Sequence, residues 1–114
     1  MAPTPTTYTV FVLYRALPAW LGLSRTERNE VFARQVGPIF ARYEQQVQVR
    51  LFDAEAFHAD VSDVLLLTTD DLNAYYFFME ALRDTDLFAK PYIVLKDVIM
   101  TRENGFRDYE TNQP

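Results

Sequence analysis

Tyr8-Thr9-Val10-Phe11-Val12-Leu13-Tyr14-Arg15 is the stretch that decides the fold. Successive side chains of a strand point to opposite faces, so one face carries Tyr8, Val10, Val12 and Tyr14 and the other Phe11, Leu13 and Arg15. Neither face looks like the solvated side of a half-buried strand, and each has to be covered. Helices cover one. In so small a domain the other is most simply covered by a second copy of the chain or by a ligand.

Downstream, residues 16–23 form a connection broken by Pro18 and Gly22, with Trp20 in the loop. Ser24-Arg25-Thr26-Glu27 is a capping box, a strong helix start. Phe32, Val36, Ile39, Phe40 and Tyr43 recur at helical spacing, and Gly37-Pro38 inside that stripe predicts a kink or a break. Residues 47–53 alternate more cleanly than the first strand, which predicts a place nearer an edge. Residues 54–60 turn the chain into a near-continuous apolar run, 61–69, read as a buried strand beside the first. Asp70 and Asp71 can cap a helix whose inner face reads Leu72, Tyr75, Tyr76, Met79 and Leu82. A last strand follows over 92–100, then a polar tail with a turn signal at Asn104-Gly105 and two aromatics, Phe106 and Tyr109, to tie it down.

The order is β-α-β-β-α-β, an α+β, ferredoxin-like arrangement: an antiparallel four-stranded sheet with two helices on one face. Two such sheets packed face to face make a dimeric α+β barrel, enclosing a cavity between sheet and helices or between subunits. The expected organisation is a disordered lead-in over 1–6, one domain over 7–109 and a polar tail over 110–114.

A chain of 114 residues, 49% hydrophobic, suits one core. Its net charge of -5 and lack of any basic cluster argue against a nucleic-acid partner. Without cysteine there is no disulfide, thiolate zinc site or thiol nucleophile. No charged leader and no apolar run of roughly 18 residues is present, so no membrane association and a cytoplasmic location are expected. No phosphate-cradling glycine loop, nucleotide fingerprint or nucleophile elbow occurs, and no cofactor or metal is expected.

Asp63 stands first among candidate catalytic residues. A carboxylate leading into the buried Val64-Leu65-Leu66-Leu67 run pairs with a cation, caps a turn, or acts as an acid or base with a raised pKa. Arg15, Arg50 and Lys96 are the strand cations that could partner it, and an ion pair or turn bond fixing strand register outweighs catalysis. His58, the one histidine, lies in the turn near Glu55, Asp60 and Asp63, where a carboxylate could orient it as a base; an exposed loop histidine is the favoured reading. Asp53 and Glu55 bracket Ala54, without a sign that their pKa values separate. Tyr14, Trp20 and Tyr92, with Arg15 and Arg50, are candidate substrate contacts for a small aromatic or polyketide-like ligand. Trp20 is the candidate lid, whereas Tyr75 and Tyr76 read as core.

The chain also resembles the darcynin family. The resemblance is carried by Tyr8-Thr9-Val10-Phe11-Val12-Leu13, Pro18-Ala19-Trp20-Leu21, Leu23-Ser24-Arg25 with Glu27-Arg28, Phe52-Asp53-Ala54-Glu55-Ala56-Phe57, Ser62-Asp63, Ala74-Tyr75-Tyr76 and Glu80-Ala81-Leu82-Arg83-Asp84-Thr85. It implies a small domain of the dimeric α+β barrel group and no agreed reaction. That wider group holds cofactor-free monooxygenases, polyketide cyclases, lactone isomerases and haem-handling proteins, so it implies a place for a site more than a chemistry.

Two functions are compatible with this reading. One is a cofactor-independent oxygenase, isomerase or cyclase, in which Asp63 or His58 moves a proton and Arg15 or Arg50 steadies an oxyanion. The other is a non-catalytic dimerisation or ligand-binding domain. A cavity of a few hundred Å³ with Asp63, Arg50 or Trp20 in its wall favours the first; a solid interface favours the second.

Overall fold

The structure, a computed structural model, describes residues 6–112. The expected lead-in over 1–6 therefore lies, apart from Thr6, outside the described residues. β1 (Tyr8–Ala16), β2 (Val47–Asp53), β3 (Asp63–Thr69) and β4 (Ile93–Arg102) form a four-stranded sheet in the order β2-β3-β1-β4. Every neighbouring pair is antiparallel. β1 is central beside β3 and β2 is an edge, as their hydrophobic patterns require. In the β1/β4 ladder Leu13 pairs with Asp97 and Tyr14 with Leu95, which leaves Lys96 as the extra residue of a bulge.

All the core helices pack on one face of the sheet. There Val10, Val12, Leu65 and Leu67 meet Val36, Phe78 and Leu82. Phe78 is fully buried, stacked on Phe40 with ring centroids 5.6 Å apart and met edge-on by Tyr43 at 6.1 Å. Among the described residues no core helix packs on the opposite face. Phe11, Phe52 and Ile99 lie there exposed, beside half-buried Leu13, Val64 and Leu66.

The helices begin and bend for local reasons. The capping box is present at α2 (Arg25–Val31): Glu27 N–H donates to Ser24 Oγ at 3.1 Å and Ser24 N–H to Glu27 Oε1 at 2.9 Å. The kink expected at Gly37-Pro38 takes the form of a π-helical turn, Phe32–Val36, between α2 and α3 (Gly37–Arg42). Gly37 N–H reaches back five residues to Phe32 O, and the widened turn accommodates Pro38, which has no N–H to give.

Three expectations are corrected. The connection holding Trp20 contains a short helix, α1 (Pro18–Leu21), because Pro18 fits a first helical turn. In α4 (Leu72–Arg83), capped by Asp71, the buried stripe is Ala74, Phe78 and Leu82, with Tyr75 and Met79 beside it, whereas Leu72 and Tyr76 are exposed. Beyond β4, Asn104 turns the chain at φ 53° into α6 (Gly105–Asn112) rather than a tied-down tail, and Phe106 and Tyr109 stand 78% and 69% exposed.

Candidate functional site

Between the helix-covered face of the sheet and the helices lies a cavity of about 230 Å³. Its floor is sheet, its roof is Phe32, Val36 and Phe40 from the bent helix and Met79 and Leu82 from α4, and one end is closed by Leu87 and Phe88 of α5 (Asp86–Ala89). Gln35 fixes α5 against the π-helical turn: its amide Nε2 donates to Asp86 Oδ2 at 2.9 Å while its Oε1 accepts from Asp86 N–H at 2.7 Å.

Two polar side chains, Tyr14 and Asp63, break this apolar wall. They are cross-strand partners on β1 and β3, and Asp53 of β2 is the partner of Asp63 on its other side. The three therefore form one row across the sheet, on the cavity side. Asp63 Oδ2 accepts from Ser62 Oγ at 2.7 Å, and Ser62 Oγ accepts from Ala16 N–H at 2.8 Å, which holds the start of β3 against β1.

Burial pushes the Asp63 carboxyl above its ordinary value, the Ser62 hydroxyl pulls it back, and the facing Asp53 carboxyl and the Glu55 charge add to the rise. The Tyr14 phenol is held far above its ordinary value, first by burial and then by the charges of Asp63 and Asp53. Tyr14 therefore keeps its proton, and Asp63 is a carboxylate with an enhanced appetite for one.

Trp20 is at the wall. α1 is fastened by Arg28, whose Nε donates to Trp20 O at 3.2 Å and Nη2 to Leu21 O at 2.9 Å. Tyr92 is buried behind Trp20, with ring centroids 5.3 Å apart and its hydroxyl accepting from Lys90 Nζ at 3.0 Å, so it supports Trp20 without lining the cavity.

Four of the residues singled out in the sequence lie elsewhere. Arg15 and Lys96 both pair with Asp60, at 3.4 and 3.1 Å. Arg50 lies over the ring of Phe52 at 5.0 Å, on the residues of β2 that alternate with the cavity-lining Leu51. His58 is exposed in the β2–β3 loop, where its Nδ1 accepts from the N–H groups of Asp60 and Val61 at 3.1 and 2.8 Å. The ion pair expected for Asp63 is thus not formed, because Arg15 and Lys96 are drawn to Asp60 and Arg50 points away. The role of Asp53 beside Asp63 was missed. The signal was present: β2 ends and β3 begins at these two aspartates, so closing the hairpin sets them opposite each other.

The family model for darcynin, a domain of unknown function, matches residues 2–113. The chain belongs to the darcynin family. It is 48% identical over 73 residues to a darcynin of Chromobacterium violaceum, covering 64% of this chain and 91% of that one. It is 36% identical over 91 residues to darcynin 1 of Acinetobacter baumannii, covering 80% of this chain and all of that one (100%). Among solved structures, chlorite dismutase from Candidatus Nitrospira defluvii in complex with imidazole matches with a TM-score of 0.73 at 14% identity, over 84% of this chain and 39% of that one. A heme-binding protein from Thermus thermophilus matches with a TM-score of 0.78 at 16% identity, over 94% of this chain and 45% of that one. This likeness shows the ferredoxin-like α+β barrel fold, and the chain spans less than half the length of either protein.

Haem does not fit the cavity described here. Its iron takes an axial histidine, cysteine, methionine or tyrosine; the single histidine, His58, is outside the wall, and the candidates within it are Met79 and the Tyr14 phenol, which keeps its proton. The cavity, at about 230 Å³, is also smaller than the roughly 300–1,000 Å³ typical of pockets for drug-sized ligands, let alone a macrocycle.

Proposed function

We propose that this darcynin binds a small, flat, mostly apolar molecule between sheet and helices, with Asp63 accepting a proton or hydrogen bond from it and Tyr14 donating one. The observation that carries this reading is the pairing of an acceptor and a donor, Asp63 and Tyr14, in an otherwise apolar wall. Such a pair is equipped for proton transfer of the isomerase kind. The oxyanion role once open to Arg15 and Arg50 has no support, since neither lines the cavity. The reading extends to a cytoplasmic homodimer in which the helix-free sheet face meets its copy. Both solved structures named above are more than twice the length matched, enough chain for a second unit of this size.

The test uses Trp20, the one tryptophan, as reporter. Titration with neutral phenols and indoles should change its emission saturably at one site per chain, and filling the cavity with Ala16→Leu should weaken binding at least about tenfold. Absence of saturable binding across the panel would overturn the reading. Asp63-dependent wash-in of solvent deuterium at an acidic carbon of a bound ligand would separate proton transfer from binding alone.

A further inference from the structure

The charge of the cavity wall restricts what can enter. Of its sixteen lining residues Asp63 alone is charged, and the helical roof contributes only apolar side chains. Asp53 stands beside Asp63 and adds negative potential, while the nearby cations are engaged elsewhere, Arg15 and Lys96 by Asp60 and Arg50 by the ring of Phe52. Among the described residues no cation lies within ion-pair distance of either aspartate.

We infer that the ligand carries a protonated amine, received by Asp63, and that carboxylates and phosphates of the same shape are rejected. This rests on the binding reading above and deepens it. A partly buried carboxylate without a cation is an incomplete ion pair, and an ammonium group completes it with a charge-assisted hydrogen bond. An anion in the same place would meet two like charges in a low-dielectric wall. A neutral alcohol fits the shape but brings only an ordinary hydrogen bond.

Three ligands of one shape separate the possibilities: 2-phenylethylamine, 2-phenylethanol and phenylacetate, titrated into the full chain by calorimetry and Trp20 emission. The amine should bind about tenfold more tightly than the alcohol, and phenylacetate more weakly than either. Asp63→Asn should abolish the advantage of the amine while leaving the alcohol's affinity within about threefold. Should that variant fail to fold, the wild type supplies an independent reading. Acidification protonates Asp63; of the groups that face it Tyr14 is neutral, Asp53 and Glu55 are the other carboxyls, Ser62 does not titrate, and the lining residues of the helices carry no charge. The amine's advantage should therefore decay on acidification through the carboxylate range, with the alcohol unchanged. Binding of the alcohol with no preference for the amine would overturn this inference and leave the cavity reading standing. A preference that survived both Asp63→Asn and acidification would overturn it too. Failure of all three ligands, and of the phenols and indoles, would overturn both.

Discussion

Asp53 and Asp63 face each other across β2 and β3, two carboxyl groups in register at the edge of an apolar cavity. Folding brings these like charges together, and burial already disfavours the charged form of Asp63. Its carboxyl is therefore held above the unfolded value, and the folded protein takes up this proton first as pH falls. The stability linked to Asp63 is fully present below the ordinary carboxylate value of 3.8 and is lost as pH rises through the raised folded value. Asp63→Asn, which can still accept from Ser62, should accordingly raise Tm at pH 7 by about 2–4 °C. In thermal melts at pH 3 the gain should vanish. A loss of stability at neutral pH would show that the carboxylate has a favourable partner after all.

Arg28 ties the two carbonyls at the end of α1, and the consequence is local. Removing its guanidinium should free the segment that carries Trp20 without touching the core, where none of its atoms lies. Arg28→Ala is expected to red-shift Trp20 emission and increase its quenching by acrylamide, with far-UV circular dichroism unchanged. An unaltered emission spectrum would remove Arg28 as the fastening of the Trp20 segment.

What the sequence disclosed and what it hid have separate physical origins. β1 and β3 were legible because both of their faces are apolar, a pattern that favours a central strand, and Ser24-Arg25-Thr26-Glu27 was legible because capping is local chemistry. The inner face of α4 was not. Tyr75-Tyr76-Phe77-Phe78 places four aromatics on consecutive positions, so the apolar period is ambiguous, and packing on Phe40 and Tyr43 selected Phe78. Asp63 and Tyr14 were recognisable as polar groups on buried strands, but their common row with Asp53 depends on strand register, which is a long-range property. Arg15 stands on the face opposite Tyr14 and Asp63 by strand alternation, whereas Lys96, the other partner of Asp60, is the extra residue of the bulge in β4, which nothing in the local sequence announces.

The capping box offers a stability test away from the cavity. Ser24→Ala removes the acceptor for Glu27 N–H and should destabilise the fold by about 1 kcal/mol. Its readout is a melt, with ligand binding unchanged in the folded protein. The Ser24 backbone N–H, followed by its hydroxyl, holds the Glu27 carboxyl below its ordinary value, so the contribution of this group is present above that value and fades as pH falls through the lowered one. The penalty of Glu27→Gln should therefore shrink on acidification, which chemical denaturation at pH 7 and pH 3 would measure.

The helix-free face of the sheet gives the last expectation, the homodimer. Phe11, on the central strand, pairs with Leu66 on one side and Ile99 on the other, and Arg50 continues the row on β2. The next row runs Phe52, Val64, Leu13, Asp97. Phe11, Phe52 and Ile99 remain 36%, 42% and 45% exposed in a single chain, a contiguous apolar surface rather than scattered contacts. A stable pair needs roughly 800 Å² from each partner. Sedimentation of the wild-type protein at micromolar concentration should therefore show a dimer. Phe11→Lys would place two ammonium groups near the centre of the paired sheets, so it should give a folded monomer, because Phe11 lies on the face opposite Val10 and Val12 and contributes nothing to the helix-side core. The control is Phe106→Lys on α6, outside the face, which should leave the dimer intact. A monomeric wild type, or a dimer indifferent to Phe11→Lys and broken by Phe106→Lys, would move the association surface from the sheet to the end of the molecule.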